Sequence, residues 1–96
     1  MAAKEKPTRE QVTKVANEIE RFVLSDKVQR AMAGISEDGA LAEAKRDPSG
    51  FLKKRGVAVP SGYRIRITGT VTICITVCGT IGGVRICVQV CGTIRF

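Results

Sequence analysis

Apolar residues change their spacing once along this chain. From Thr8 to Leu52 they recur every three or four positions, the period of a helix with one greasy stripe. Thr8 with Gln11 three residues on forms a capping-box pattern behind Pro7, and Val12, Val15, Ile19, Phe22 and Val23 supply the stripe of a first helix. Ser25 or Asp26 restarts a helix with Val28, Ala31, Met32 and Ile35 on its apolar face. Ser36, followed by Glu37 and Asp38, is placed to cap a third segment carrying Leu41 and Ala44. Asp47-Pro48 sets an N-cap before a proline at the first helical position of a short turn through Phe51 and Leu52, and Gly56 closes it.

Beyond Pro60-Ser61-Gly62 the period drops to two. Tyr63, Ile65, Ile67, Val71, Ile73, Ile75 and Val77 are apolar, while Arg64, Arg66, Thr68, Thr70, Thr72, Cys74, Thr76 and Cys78 lie between them. That alternation predicts strand with one apolar and one polar face. After Gly82-Gly83 the parity switches: Val84, Ile86, Val88 and Val90 are apolar, with Arg85, Cys87, Gln89 and Cys91 between them. A Gly-Gly pair is a strong two-residue hairpin turn, because both positions accept positive φ. The expectation is an α+β chain: three to four short helices over residues 1–60, then a long antiparallel β-hairpin over residues 61–96.

All four cysteines fall in this hairpin. Folding about Gly82-Gly83 sets Cys78 opposite Cys87 and Cys74 opposite Cys91, both at non-hydrogen-bonded sites, where side chains approach most closely. Two cross-strand disulfides are the reading this register favours. Free thiols used as small strand residues are a second reading. Thioether bridges to dehydrated threonines are a third, since Thr68, Thr70, Thr72, Thr76, Thr80 and Thr93 lie near. Zinc fits poorly, because Cys74 and Cys78 lie roughly 13 Å apart along a strand and one tetrahedral ion cannot gather both. Gly82-Gly83 also admits a double-glycine cleavage reading, but a cut there would destroy the symmetric pairing.

Charge sharpens the division. Residues 1–60 hold twelve Lys/Arg against nine Asp/Glu, whereas residues 61–96 hold Arg64, Arg66, Arg85 and Arg95 and no acid. A purely cationic tail is suited to an anionic surface. The absence of histidine removes imidazole catalysis and His ligation, so no catalytic residue, metal or cofactor is expected. Few aromatics are available for base stacking, which makes nucleic acid an unlikely partner. No apolar run reaches membrane-spanning length, and the N-terminus has no apolar stretch behind its charges, so synthesis in the cytoplasm is expected.

Residues 41–67, LAEAKRDPSGFLKKRGVAVPSGYRIRI, resemble the end of the nitrile-hydratase-like leader peptides of bacterial modified-peptide precursors. The shared features are Asp47-Pro48, Phe51-Leu52, Gly56 and the Val59-Pro60-x-Gly62 step into a strand. The resemblance implies a leader that recruits modifying enzymes, an exporter and a peptidase, with Asp47, Pro48, Phe51, Leu52 and Gly56 as recognition residues. It does not extend to the enzyme's metal loop, whose cysteines are closely clustered. The CxxxC-turn-CxxxC tail is similar to the tachyplesin-like cationic β-hairpin peptides, with a longer turn, fewer arginines and more threonines. Together the two resemblances imply a precursor whose tail is cut near Pro60–Gly69 and exported as a bacteriocin-like, membrane-active product. The alternative is a structural protein whose helices stay attached and cover the apolar face, and whose amphipathic hairpin drives homo-oligomerisation through open edges.

Overall fold

Thr8 opens the first helix as its pattern predicts. Its hydroxyl accepts from the Gln11 amide (3.2 Å), while the Gln11 side chain accepts from the Thr8 amide (2.8 Å). Two of the helix's orphan donors are thereby satisfied reciprocally. The structure, a computed structural model, describes residues 8–36 and 39–93. Helix α1 spans Arg9–Val23 and α2 Asp26–Ala33, continued by one 3₁₀ turn over Gly34–Ser36. The elbow between them is held by side chains that meet the last carbonyls of α1. Ser25 Oγ donates to Phe22 O (2.8 Å) and accepts from the Val28 amide (3.4 Å). Gln29 Nε2 donates to Val23 O (2.8 Å).

Helix α3 (Ala40–Arg46) departs from expectation at its start. Ser36 ends the 3₁₀ turn instead of capping the helix, and Glu37 and Asp38 lie outside the described residues. The N-cap is Gly39 at φ 77°, with no side-chain cap bond. Leu41 and Ala44 do face inward, half-buried and buried. Asp47 caps α4 (Pro48–Lys54), its Oδ1 accepting from the Gly50 amide (3.1 Å). Gly56 at φ 84° turns the chain out of α4, and the Gly56 and Val57 amides donate to Lys53 O (3.1 Å) and Leu52 O (3.0 Å). That is a Schellman ending, which a glycine accomplishes without Cβ strain. An exposed Glu43–Lys54 ion pair (2.9 Å) links α3 to α4, and this bond holds the Glu43 carboxyl below its ordinary pKa.

The tail contains one strand more than the predicted hairpin. Strands β1 (Arg64–Thr68), β2 (Thr72–Ile81) and β3 (Val84–Thr93) form an antiparallel sheet in the order β1-β2-β3. Periodicity could not expose the break. Ile67 and Ile73 both face inward, so the turn between β1 and β2 leaves the odd-numbered apolar parity intact. Gly69 makes that turn possible. It sits at φ 103°, and a Cβ there would strike the Thr72 carbonyl oxygen.

Ile67, Ile73, Ile75, Val77 and Ile86 are buried on the inner face of the sheet. They join Ile19 and Val23 of α1, Val28 and Ala31 of α2, and Phe51 and Leu52 of α4 in one continuous core. Helix α1 lies over β2 and β3, while α3 and α4 pack on β1. Gly79 brings the layers close, since a Cβ there would sit 3.2 Å from Ile19 Cδ1 and 3.5 Å from a Tyr63 ring carbon. Tyr63 in turn meets Phe22 edge-to-face, ring centroids 5.5 Å apart. The apolar face of the sheet is therefore covered by the chain's own helices, apart from its rim at Val71 and Val84.

Two outcomes follow from this packing. Gly69→Ala should destabilise the chain by about 3 kcal/mol or more, since it combines a glycine-only φ with a backbone clash. Thermal melting checks this, and a loss below 1 kcal/mol would contradict the turn geometry. Tyr63 is the only tyrosine, so phenolate absorbance reports it alone. Burial, and secondarily the Glu18 carboxylate, raise its pKa above 10.0. The raised folded value means that its contribution to stability is complete below about pH 10 and is lost as pH rises through the folded pKa. Glu18→Gln should lower the titration midpoint, and undocking the helices should return it to the ordinary value.

Candidate functional site

The polar residues of the tail share the sheet's outer face because pairing keeps their parity. Cys78 stands opposite Arg64 on one side and Cys87 on the other; Thr76 lies between Arg66 and Gln89, and Cys74 between Thr68 and Cys91. Disulfides join Cys74 to Cys91 and Cys78 to Cys87, closing sequence separations of 17 and 9. Their Cα separations, 4.0 and 4.1 Å, are those of non-hydrogen-bonded pairs. Gly82 and Gly83 make the turn at φ 54° and 80°, the double positive φ of a type I′ hairpin. With all four cysteines in disulfides, no thiol remains for nucleophilic or metal chemistry. Among the described residues no group of three acids or cysteines is placed to hold a metal ion.

Arg64, Arg66 and Arg85 occupy this outer face, while Arg95 lies outside the described residues. The three arginines line one open cleft with Thr76, Cys78 and Gln89, and among the described residues no carboxylate lines it. Arg64 and Arg66 are carried by β1, and Arg85 faces Thr80 near the hairpin turn. The arrangement suits several anionic groups spread over a surface. Among the described residues it lacks a buried side-chain donor that could hold one small anion against water.

The residues for which the resemblance implies recognition divide between core and surface. Phe51 and Leu52 are 1% and 0% exposed, within the core that packs against the sheet, and Arg55 stacks over the Phe51 ring at 4.6 Å. Asp47 and Gly56 are exposed and Pro48 is half-buried. In the folded head a partner can touch Asp47 and Gly56 directly, but not Phe51 or Leu52. Sequence spacing had no means of separating these roles, because an apolar pair after Asp-Pro serves core and recognition equally well.

Gly79 is the position that residue patterns missed, although the alternation did place Tyr63 on the apolar face. Gly79 stands at an inward position, where the alternation calls for an apolar side chain. A glycine interrupting a strand pattern is itself a signal of close backbone approach. No protein-family model, curated protein or solved structure matches this chain.

Partial reduction with stepwise alkylation of the oxidised chain should recover only the Cys74–Cys91 and Cys78–Cys87 linkages. Recovery of Cys74–Cys87 would overturn the register. Replacing Cys78 and Cys87 together by serine should cost about 2–3 kcal/mol through lost loop closure. The core should survive, because both bridges lie on the face opposite it.

Proposed function

We propose that the chain is the precursor of a modified peptide, with residues 1–60 as its leader and the cysteine-bridged tail as its product. The observation that carries this reading is the placement of the covalent bracing. Both disulfides lie within β2 and β3, so the tail remains crosslinked when the backbone is cut ahead of it. The cut belongs in the stretch between α4 and β1, where Ala58, Pro60, Ser61 and Gly62 are exposed. Cleavage at Gly69 would detach β1, so the upstream part of the Pro60–Gly69 window is preferred. A bare two-stranded hairpin is marginal in water, and three strands with two bridges make a better-defined product.

The two faces of the sheet would then act in turn. In the intact chain the helices occupy the apolar face of the sheet and leave its cationic outer face open for contact. Release uncovers Ile65, Ile67, Ile73, Ile75, Val77, Ile86, Val88 and Val90, giving a sheet with one apolar and one cationic side. Each arginine near an anionic bilayer contributes about 1 kcal/mol of attraction, a term that salt screens. Modifying enzymes, exporter and peptidase would be engaged through the exposed part of the leader, beginning with Asp47 and Gly56. Export of the product would follow cleavage.

Limited proteolysis and dye-loaded anionic vesicles test the proposal together. We expect the first cut of the oxidised chain within residues 58–63, no vesicle leakage from intact chain, and leakage once it is nicked and the head removed. A chain that resists cutting there, or a released tail inert toward both anionic and neutral vesicles, would refute it.

A further inference from the structure

The two edges of the sheet are built differently. β1 is five residues long, ends against exposed turns, and carries Arg64 and Arg66. A short edge bearing two charges resists pairing with another strand. β3 runs ten residues from Val84 to Thr93 in unbroken register with β2, without a bulge. It contains neither proline nor acid and has a single charge, Arg85, at its hairpin end. Only one side of β3 is paired among the described residues. The disulfides bind β3 to β2 at two levels, so this edge stays straight and held.

From these features we infer that β3 is the interface at which a second copy of the chain adds, antiparallel and about a two-fold axis at Gln89, to give a six-stranded sheet. The inference does not depend on release of the tail and so stands apart from the precursor reading. Parity decides the geometry. Cys87, Gln89 and Cys91 occupy non-hydrogen-bonded sites with β2, so their amides and carbonyls point to the free edge. Centring the axis on Gln89 sets Cys87 opposite the second copy's Cys91, with the two Gln89 residues facing each other. Half-buried Val88 then lies against the second copy's Val90, which continues the apolar inner face across the junction. The cations favour this antiparallel arrangement. Arg85 falls opposite Thr93, so the two arginines stand roughly 27 Å apart, well beyond the screening length at physiological salt. A parallel pairing would set them side by side. Because the axis closes on itself and β1 defends the far edge, assembly stops at two copies.

The test uses the oxidised full-length chain, with sedimentation velocity and residue-resolved amide exchange. The expected result is a concentration-dependent dimer, in which the Cys87, Gln89 and Cys91 amides become protected only at dimeric concentrations. Gln89→Pro removes an amide that β2 does not use, so it should leave both disulfides and the melting transition in place while abolishing the dimer. Gln89→Lys, which sets like charges face to face across the axis, should weaken dimerisation at least tenfold at low salt and less at high salt. A chain that stays monomeric with those amides freely exchanging would overturn the inference. So would a dimer that persists in Gln89→Pro, or open-ended growth beyond two copies. If Gln89→Pro prevents correct disulfide formation, Gln89→Lys and the exchange pattern of the unmodified chain decide the matter.

Discussion

Everything in this molecule depends on the seating of the helical head on one face of the sheet. Ile19 and Val23 of α1 and Phe51 and Leu52 of α4 share a single core with Ile67, Ile75 and Val77. Neither layer has an independent interior. A three-stranded sheet of this length cannot bury one face by itself, and four short helices of 7 to 15 residues gain most of their stability from tertiary packing. Gly79 lets the layers approach at the point where Tyr63 and Ile19 converge, so a close contact is made where β2 has no side chain.

The covalent bonds and the core sit on opposite sides of the same strands. This separation comes from the two-residue period of β structure, which sends Ile75 and Val77 inward while Cys74, Thr76 and Cys78 go outward. The disulfides brace the hairpin without occupying core volume. The core, on the other face, packs the same strands against the helices. The arginines follow the same parity, which is why the cationic cleft and the bridges share a surface.

Much of this was legible from residue order, because local signals and tertiary demands agreed. Thr8 and Gln11 cap α1 as their spacing predicts, Asp47-Pro48 and Gly56 frame α4, and Gly82-Gly83 sets the register that brings each cysteine opposite its partner. The break at Gly69 was not legible, since the parity of apolar residues runs through it unchanged. The start of α3 was misjudged for a different reason: Ser36 is an attractive cap, but Ile35 is pulled into the core and the chain extends through a 3₁₀ turn before Gly39. What covers the apolar face was left open by pattern reading, between the chain's own helices and a membrane. Alternation identifies a face that must be covered, and only the assembled fold shows that the chain's own helices cover it. The chemistry of the outer face was legible as residue types, but its cleft emerges only when β1 folds back beside β2.

The alternation has one further effect, on how this sequence can vary. Outward positions of β2 and β3 lie outside the buried core, and two staples hold their backbone in place. Charge, size and hydrogen-bonding groups at Thr76, Thr80, Arg85 and Gln89 can therefore change with little disturbance to the layers beneath. The buried inward positions, Ile73, Ile75, Val77 and Ile86, have no such freedom, because they share one core with the helices. The sheet is in that sense a printed page, with binding fixed along one side and text free to be rewritten on the other.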